Sequence, residues 1–321
     1  MKFQKYLNSF IEYMQVKNFS ERTVHSYTHE VNKFLLFIEE HYPRIINIAH
    51  ITKDICFDFL SFLTIYKDKK GKSLSSKTIK VKVVSIKNFF KYLLKNDFIL
   101  VDPSALLENP REEKDLPRSV LTEEEVKLIL SKINTNTPIG LRNKAIVELF
   151  YSSGIRTSEL ANIKIYDIDF KQQIATIFRG KGNKTRIVPV GMHACYYIEQ
   201  YLLKARKFML RGVSKDDGYV FLSVKGKPFT RETLNKCVVA EIMKNVDIKK
   251  RVSCYTFRHS IATHLVKNHV DIKYVGQLLG HESLRTTQKY VHLEISDLKK
   301  MHSLYHPREV DKSGIDNVNN N

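Results

Sequence analysis

The chain has 321 residues, 43% hydrophobic and 27% charged, with 53 Lys and Arg against 34 Asp and Glu, for a formal charge of +19. Those proportions exclude wholesale disorder and a membrane-embedded chain, and the length favours two domains over a single core. The positive surplus points to a polyanionic partner, of which nucleic acid is the commonest, although charge alone does not separate that from a lysine-rich background.

The first hundred residues read as four helices with polar breaks. Phe3, Leu7, Phe10, Ile11 and Met14 share one helical face, and after Ser20 a second stripe runs Val24, Tyr27, Val31, Phe34, Leu35 and Ile38. Thr52 precedes Ile55, Phe59, Phe62 and Leu63, and Ser75 with Ser76 precede Ile79, Val83, Ile86, Phe90 and Leu93. Between these last two helices lies the basic turn Lys67 to Ser73, either a phosphate contact or a solvated loop. Asn109 to Arg118 has two prolines and dense charge, as an interdomain linker does. The expected division is a helical domain over 1–108, a linker over 109–120, a second domain over 121–308 and a polar, disordered tail over 309–321.

The second domain opens on a helix from Thr122, where T-E-E-E supplies a capping box, and has another over about Leu141 to Ser153. The β-favouring stretches IKIYDIDF and QIATIF, followed by a glycine-flanked turn and TRIVPV, suggest a small antiparallel sheet. From Met192 helices return, with a short strand near Tyr219 to Leu222. The fold class expected is therefore mainly α with a small antiparallel β-sheet, α+β.

Cys56, Cys195, Cys237 and Cys254 are widely spaced, so neither a zinc ribbon nor a disulfide framework is expected, and reduced cytoplasmic thiols fit. The N-terminal residues mix charge with apolar positions and do not read as a signal peptide, and no run approaches membrane-spanning length. Residues 1–110 carry 17 basic and 11 acidic side chains, so both halves of the chain are basic. That suits a grip on a phosphate backbone from two sides.

Four segments hold residues suited to a phosphodiester. In YSSGIRTSEL, Gly154 can end one helix and place Arg156 before the next, where its planar fork either binds phosphate or pairs with Glu159. In FRGKGNKTRIVPV, Lys181 sits at a hairpin turn, a proton donor to a phosphate or an ordinary exposed lysine. In SCYTFRHSIATHLV, Thr256 can cap a helix beginning near Phe257, which would put Arg258 in its first turn beside backbone amides. Ile261 and Leu265 then face the core, and His259 and His264 read as structural. In VGQLLGHESLRTTQKYVHLEISDL, Gly280 breaks a helix, His281 follows it, and Tyr290 lies beyond. A phenol of pKa about 10 needs a cationic setting to attack phosphorus, which two arginines, a lysine and a histidine supply.

Taken together, G-I-R-x-S-E-L, G-K-G-N-K-x-R-x-V-P, T-F-R-H-S-x-A-T-H-L, L-L-G-H and T-T-Q-K-Y resemble the catalytic domain of the tyrosine recombinases, the phage integrase family, and most of all the Xer-type recombinases. The N-terminal helices are similar to that family's core-binding, SAM-like domain, and LKKMHSLYHPRE resembles the Xer C-terminus. The resemblance implies two domains clamped around DNA and strand cleavage through a 3′-phosphotyrosyl intermediate, with no metal and no other cofactor. It assigns Arg156 and Arg258 to the nonbridging oxygens, Lys181 to protonation of the leaving 5′ oxygen, His281 to the phosphate and Tyr290 to attack. Where the family usually has histidine, three residues before the second arginine, this chain has Tyr255, a hydrogen-bond donor but a poor base.

The partners implied are double-stranded DNA bearing a specific recombination site, a homo- or heterotetramer on two such sites, and a regulatory translocase or accessory protein, in a nucleoid-associated cytoplasmic setting. No arm-binding domain is expected ahead of the helices, which favours the simple-site, Xer-like class; chromosome-dimer resolution, mobile-element integration and plasmid resolution all use this architecture. Leu298, Met301 and Leu304 form an apolar stripe that either docks on a neighbour or covers its own domain. Competing readings are a type IB topoisomerase-like relaxing enzyme, a DNA-binding relative impaired in catalysis because of Tyr255, and a zinc protein using His259, His264, His281 and His292.

Overall fold

The computed structural model describes residues 2–67, 71–110, 119–178, 185–280 and 295–310, without the side chains of 295–298 and 310. The chain divides into two compact units, Met1–Leu116 and Pro117–Asn321. Parts of the basic turn, most of the expected linker and residues 311–321 of the tail lie outside the described residues.

Among the described residues the first unit has four α-helices, α1 (Gln4–Val16), α2 (Glu21–His41), α3 (Lys53–Ile65) and α4 (Ser76–Lys95). The cap residues explain the boundaries. Ser20 accepts from the Thr23 amide at 3.2 Å and Ser75 from the Thr78 amide at 3.3 Å, each satisfying an otherwise orphaned donor. Thr52 stands at the head of α3 without a side-chain cap bond. The stripes converge on an aromatic core in which Phe34 meets Phe59 and Phe90 at ring separations of 5.1 and 5.8 Å, edge to face. One charged pair is taken inside with them: Lys82 of α4, almost fully buried, donates to Glu30 of α2. Removing either partner would strand a charge.

In the second unit Thr122 and Glu125 form the expected capping box that starts α5 (Glu123–Ser131). The next helix, α6 (Pro138–Ser153), begins a turn earlier than its apolar pattern indicates. Thr137 accepts from the Gly140 amide, and Pro138 takes the first helical position, where it forfeits no bond. Gly154 ends α6 in the left-handed region at φ 59°, and α7 (Thr157–Asn162) follows directly.

The sheet has three antiparallel strands in the order β1 (Ile168–Asp169), β2 (Ile174–Ile177), β3 (Arg186–Pro189). It is smaller than IKIYDIDF suggests. The Asp167 carboxylate accepts from the Lys164 amide at 2.8 Å and winds Ile165–Asp167 into a 3₁₀ turn, leaving two residues for a strand. Similarly, Tyr219 to Leu222 forms no strand, only single bridges of Tyr219 to Lys164 and Leu222 to Pro228. In the β2–β3 hairpin Ile177 faces Arg186, so Arg186 stands at the point where the strands part.

Helices then alternate with π turns. Helix α8 (Met192–Gln200) passes through a π turn at Tyr201–Ala205 into α9 (Arg206–Met209), and α10 (Arg231–Leu234) through Asn235–Val239 into α11 (Ala240–Met243). They are followed by α12 (Cys254–Lys267) and α13 (Ile272–Leu279), which ends at Gly280 with φ 60°. Among the described residues no helix is long and apolar enough to cross a membrane.

The last helices, α14 (Ile295–Tyr305) and α15 (Pro307–Val310), pack on their own unit. Met301 lies against its core, while Leu304 is 54% exposed and the Leu298 side chain lies outside the described residues. The folded part therefore reaches beyond the expected tail start at 309. Glu309 accepts from the Met192 amide at 3.0 Å, and the Arg308 guanidinium holds buried Glu148 at 2.7 Å.

Two stacked imidazoles anchor this segment, His302 and His306, with ring centroids 4.4 Å apart. His302 Nε2 bonds the Ser152 carbonyl at 2.9 Å and His306 Nε2 the Tyr151 carbonyl at 3.0 Å. His306 Nδ1 accepts from the Arg308 amide at 3.1 Å, which requires the neutral ring. Burial pushes His302 down to about 4 and His306 well below its ordinary value. Both rings stay neutral in the fold yet take protons once unfolded, so their contribution is complete above pH 6.5 and declines as pH falls toward 4. Melting curves should accordingly lose roughly 5 °C between pH 7 and pH 5. A flat profile over that range would contradict the neutral pair.

Candidate active site

Two of the candidate residues, Arg156 and Arg258, meet where α6 and α13 end. Arg156 is the cap residue of α7, and Glu159 reaches back one turn to accept from the Arg156 amide at 2.7 Å and from its Nη1 at 2.8 Å. The pairing left open on the sequence is thus present. It uses one edge of the fork only: Nη2 donates to the carbonyl of Gly280 at 2.6 Å, and the side chain remains 25% exposed.

Arg258 arrives from α12 by a different route than expected. The helix is capped by Ser253, not Thr256. Ser253 accepts from the Thr256 amide while Thr256 Oγ1 accepts from the Ser253 amide at 3.0 Å, so the helix starts at Cys254 and Arg258 sits in its second turn. No helix N-terminus serves it. Instead its guanidinium donates to Gly154 O and, at 2.6 Å, to Leu279 O, the carbonyl ends of α6 and α13. Helix C-termini carry partial negative charge and unsatisfied carbonyls, so a buried cation is at home there.

Leu279 and Gly280 are consecutive, which means that Arg258 and Arg156 hold neighbouring carbonyls of one turn. The two left-handed glycines make this approach feasible. A methyl on Gly154 would lie 2.8 Å from Leu279 Cδ2, and one on Gly280 would lie 2.9 Å from Arg186 Nε.

Arg186 is the residue that motif reading passed over. From the base of β3 it donates to both oxygens of Glu159, Nη1 to Oε1 at 2.7 Å and Nη2 to Oε2 at 2.8 Å. Burial alone raises the Glu159 carboxyl, but Arg186 and the Arg156 amide outweigh it and hold the group at about 2. Arg258, only 7% exposed, is brought down to about 10 by burial first and by the nearby Arg156 charge second. Two guanidinium groups, Arg156 and Arg186, thus bond one carboxylate with the Arg258 charge close by, which leaves a positive surplus of the kind an anion neutralises. The signal for Arg186 was its place in T-R-I-V-P-V, but its partner is 27 residues away in sequence and appears only in the fold.

Tyr255 stands three residues before Arg258 on the same helix, half-exposed, with its ring centroid 6.1 Å from that of His259. His264 is structural: its Nδ1 meets Tyr151 Oη and its Nε2 the Leu121 carbonyl, both at 2.8 Å, leaving neither nitrogen for a metal. Lys181, His281 and Tyr290 lie outside the described residues. Gly280, held by Arg156, is the residue immediately before His281 in the chain.

Comparison with known proteins places the chain in a family. Residues 119–296 match the phage integrase family, and residues 7–97 its N-terminal SAM-like domain. Tyrosine recombinase XerC of Bacillus pumilus is 34% identical over 97% of this chain and 99% of its own. Tyrosine recombinase XerD of Oceanobacillus iheyensis is 33% identical over 94% of this chain and 98% of its own. The fold is shared with a lambda integrase tetramer bound to a Holliday junction, at 16% identity and a TM-score of 0.63 over 91% of this chain and 80% of that one. With matches spanning both units, the chain belongs to the phage integrase family and is a site-specific tyrosine recombinase of Xer type.

Proposed function

We propose that this recombinase cuts one strand of a duplex by attack of Tyr290 Oη on a backbone phosphorus. The P–O5′ bond breaks, the departing oxygen takes its proton from Lys181, the phenolic proton passes to solvent, and the phosphate remains on the tyrosine through its 3′ side. A 5′ hydroxyl from the second duplex reverses the step and completes exchange. Bond energy is conserved in the linkage, so the cycle requires neither metal nor nucleotide. Arg156 and Arg258 hold the nonbridging oxygens, His281 adds a further phosphate contact, and Tyr255 donates a hydrogen bond in place of the family's usual histidine.

The observation that supports this most is the shared grip of Arg156 and Arg258 on the Leu279–Gly280 turn. It fixes two forks side by side beside the entry to the His281 segment, and preorganised cations are the largest contribution available to a crowded phosphorane.

The partners follow from the chemistry. Exchange needs two double-stranded sites of specific sequence and four protomers, of one or two recombinase types. The setting is the nucleoid of the cytoplasm, with a DNA translocase or another accessory protein as regulator and chromosome-dimer resolution as the role. Denaturing isolation of protein-linked DNA from the host, then sequencing, should return a short recurrent site. A nicked duplex bearing that site should form the covalent adduct in purified protein. Efficient relaxation of any plasmid, regardless of site, would instead favour a topoisomerase. Tyr255→Phe should slow adduct formation by about tenfold, a loss typical of one phosphate hydrogen bond; an unchanged rate would remove Tyr255 from the site.

A further inference from the structure

Glu159 poses a problem for any phosphate-binding role of Arg156. A carboxylate 2.8 Å from that guanidinium cancels the charge on which DNA binding would draw. The arrangement around it supplies the remedy. Each Glu159 oxygen accepts one bond from Arg186, in the parallel fork-to-carboxylate geometry that makes the strongest of these pairs, whereas the Arg156 side chain contributes a single bond to Oε1. Among the described residues the rest of the Arg186 guanidinium has no competing anchor. Its Nε has no hydrogen-bond partner among the described residues, and Gly280 closes over that atom. At the foot of the hairpin, opposite Ile177, Arg186 is also held by the sheet.

We infer that Arg186 is a positioning residue: it is the counter-ion of Glu159 and thereby leaves the charge of Arg156 to the DNA phosphate. Glu159 in turn orients Arg156 through the backbone amide and one Nη bond without neutralising it. The inference rests on the phosphate-binding reading given above for Arg156. It also explains why glycine at 280 serves more than the helix end, since any side chain there would displace the Arg186 fork.

Charge counting yields a test that a purely structural role would not satisfy. Arg186→Met leaves two guanidinium groups against one carboxylate, so Glu159 turns to Arg156. Adding Glu159→Gln restores the original surplus without restoring the ion pair. Single-turnover adduct formation on the nicked site, at saturating protein and normalised to folded protein by circular dichroism, is the readout. Arg186→Met should be slower by about 100-fold, the effect of losing one preorganised donor. Arg186→Met with Glu159→Gln should recover to within about tenfold of the parent, and Arg186→Lys, which retains charge but not the fork, should fall between.

A double variant no faster than Arg186→Met would overturn the inference while leaving the parent's cleavage, and hence the proposed function, intact. Should Arg186→Met fail to fold, the comparison of the double variant with the parent decides: a defect of about 100-fold there would count equally against it. If the parent formed no adduct with any DNA, the functional reading would fall and this inference with it.

Discussion

Tyr290→Phe is expected to abolish the covalent protein–DNA species altogether, with DNA binding and the melting temperature kept. The phenolic oxygen is the only atom removed, and without it the phosphate has no protein nucleophile. The loss should lie below detection, beyond the several orders of magnitude attributed to other deletions of a nucleophile. Gel shift on a duplex carrying the site reports binding, and denaturing electrophoresis of the nicked substrate reports the adduct. Persistence of an adduct in Tyr290→Phe would show that another group attacks. Loss of binding alongside the adduct would leave Tyr290 with a structural part instead.

The second large effect is expected at Arg258. Its guanidinium joins the carbonyl ends of α6 and α13, so substitution acts on the reaction and on the fold together. Arg258→Ala should lower adduct formation by about 10³-fold, near 4 kcal/mol, as loss of a preorganised donor to a developing anion does. It should also lower the melting temperature by several degrees, because two buried carbonyls lose their donors. Arg258→Lys retains the charge but cannot bridge both carbonyls as a fork, so it should regain part of the rate and little of the stability. Equal rates for Arg258→Ala and the parent would exclude Arg258 from the phosphate site.

Several elements of the fold were legible before the structure. Ser20 and Ser75 stand directly ahead of apolar stripes, so cap and periodicity agree, and α2 and α4 begin where both indicate. The capping box of Thr122 and Glu125 was equally plain. Ambiguity arose where two hydroxyl residues compete. Ser253 and Thr256 are spaced as the two members of one box, and only packing decides that Ser253 is the cap, which moves Arg258 from the first turn to the second. IKIYDIDF alternates as a strand does, but the Asp167 side chain captures the Lys164 amide and bends it.

The candidate site was legible as a set of residue types and only partly as an arrangement. Arg156 and Arg258 could be named from their motifs. That both would terminate on one turn, Leu279 to Gly280, is a tertiary fact with no local signal. Arg186 shows the limit most clearly: its partner on α7 becomes a neighbour only when the hairpin folds back. The apolar stripe of α14 was undecided for a related reason. His302 and His306 seat that segment alongside Met301, and buried histidine is indistinguishable from exposed histidine by pattern.

The central claim is that the strand is held on residue 290 through its 3′ phosphate. The most direct measurement is proteolysis of the trapped adduct, nuclease trimming of its DNA and mass spectrometry of the nucleotide-bearing peptide. The nucleotide mass should reside on the peptide containing Tyr290, on the phenolic oxygen. Its appearance on Tyr255, on Tyr274 or on any other side chain would contradict the account.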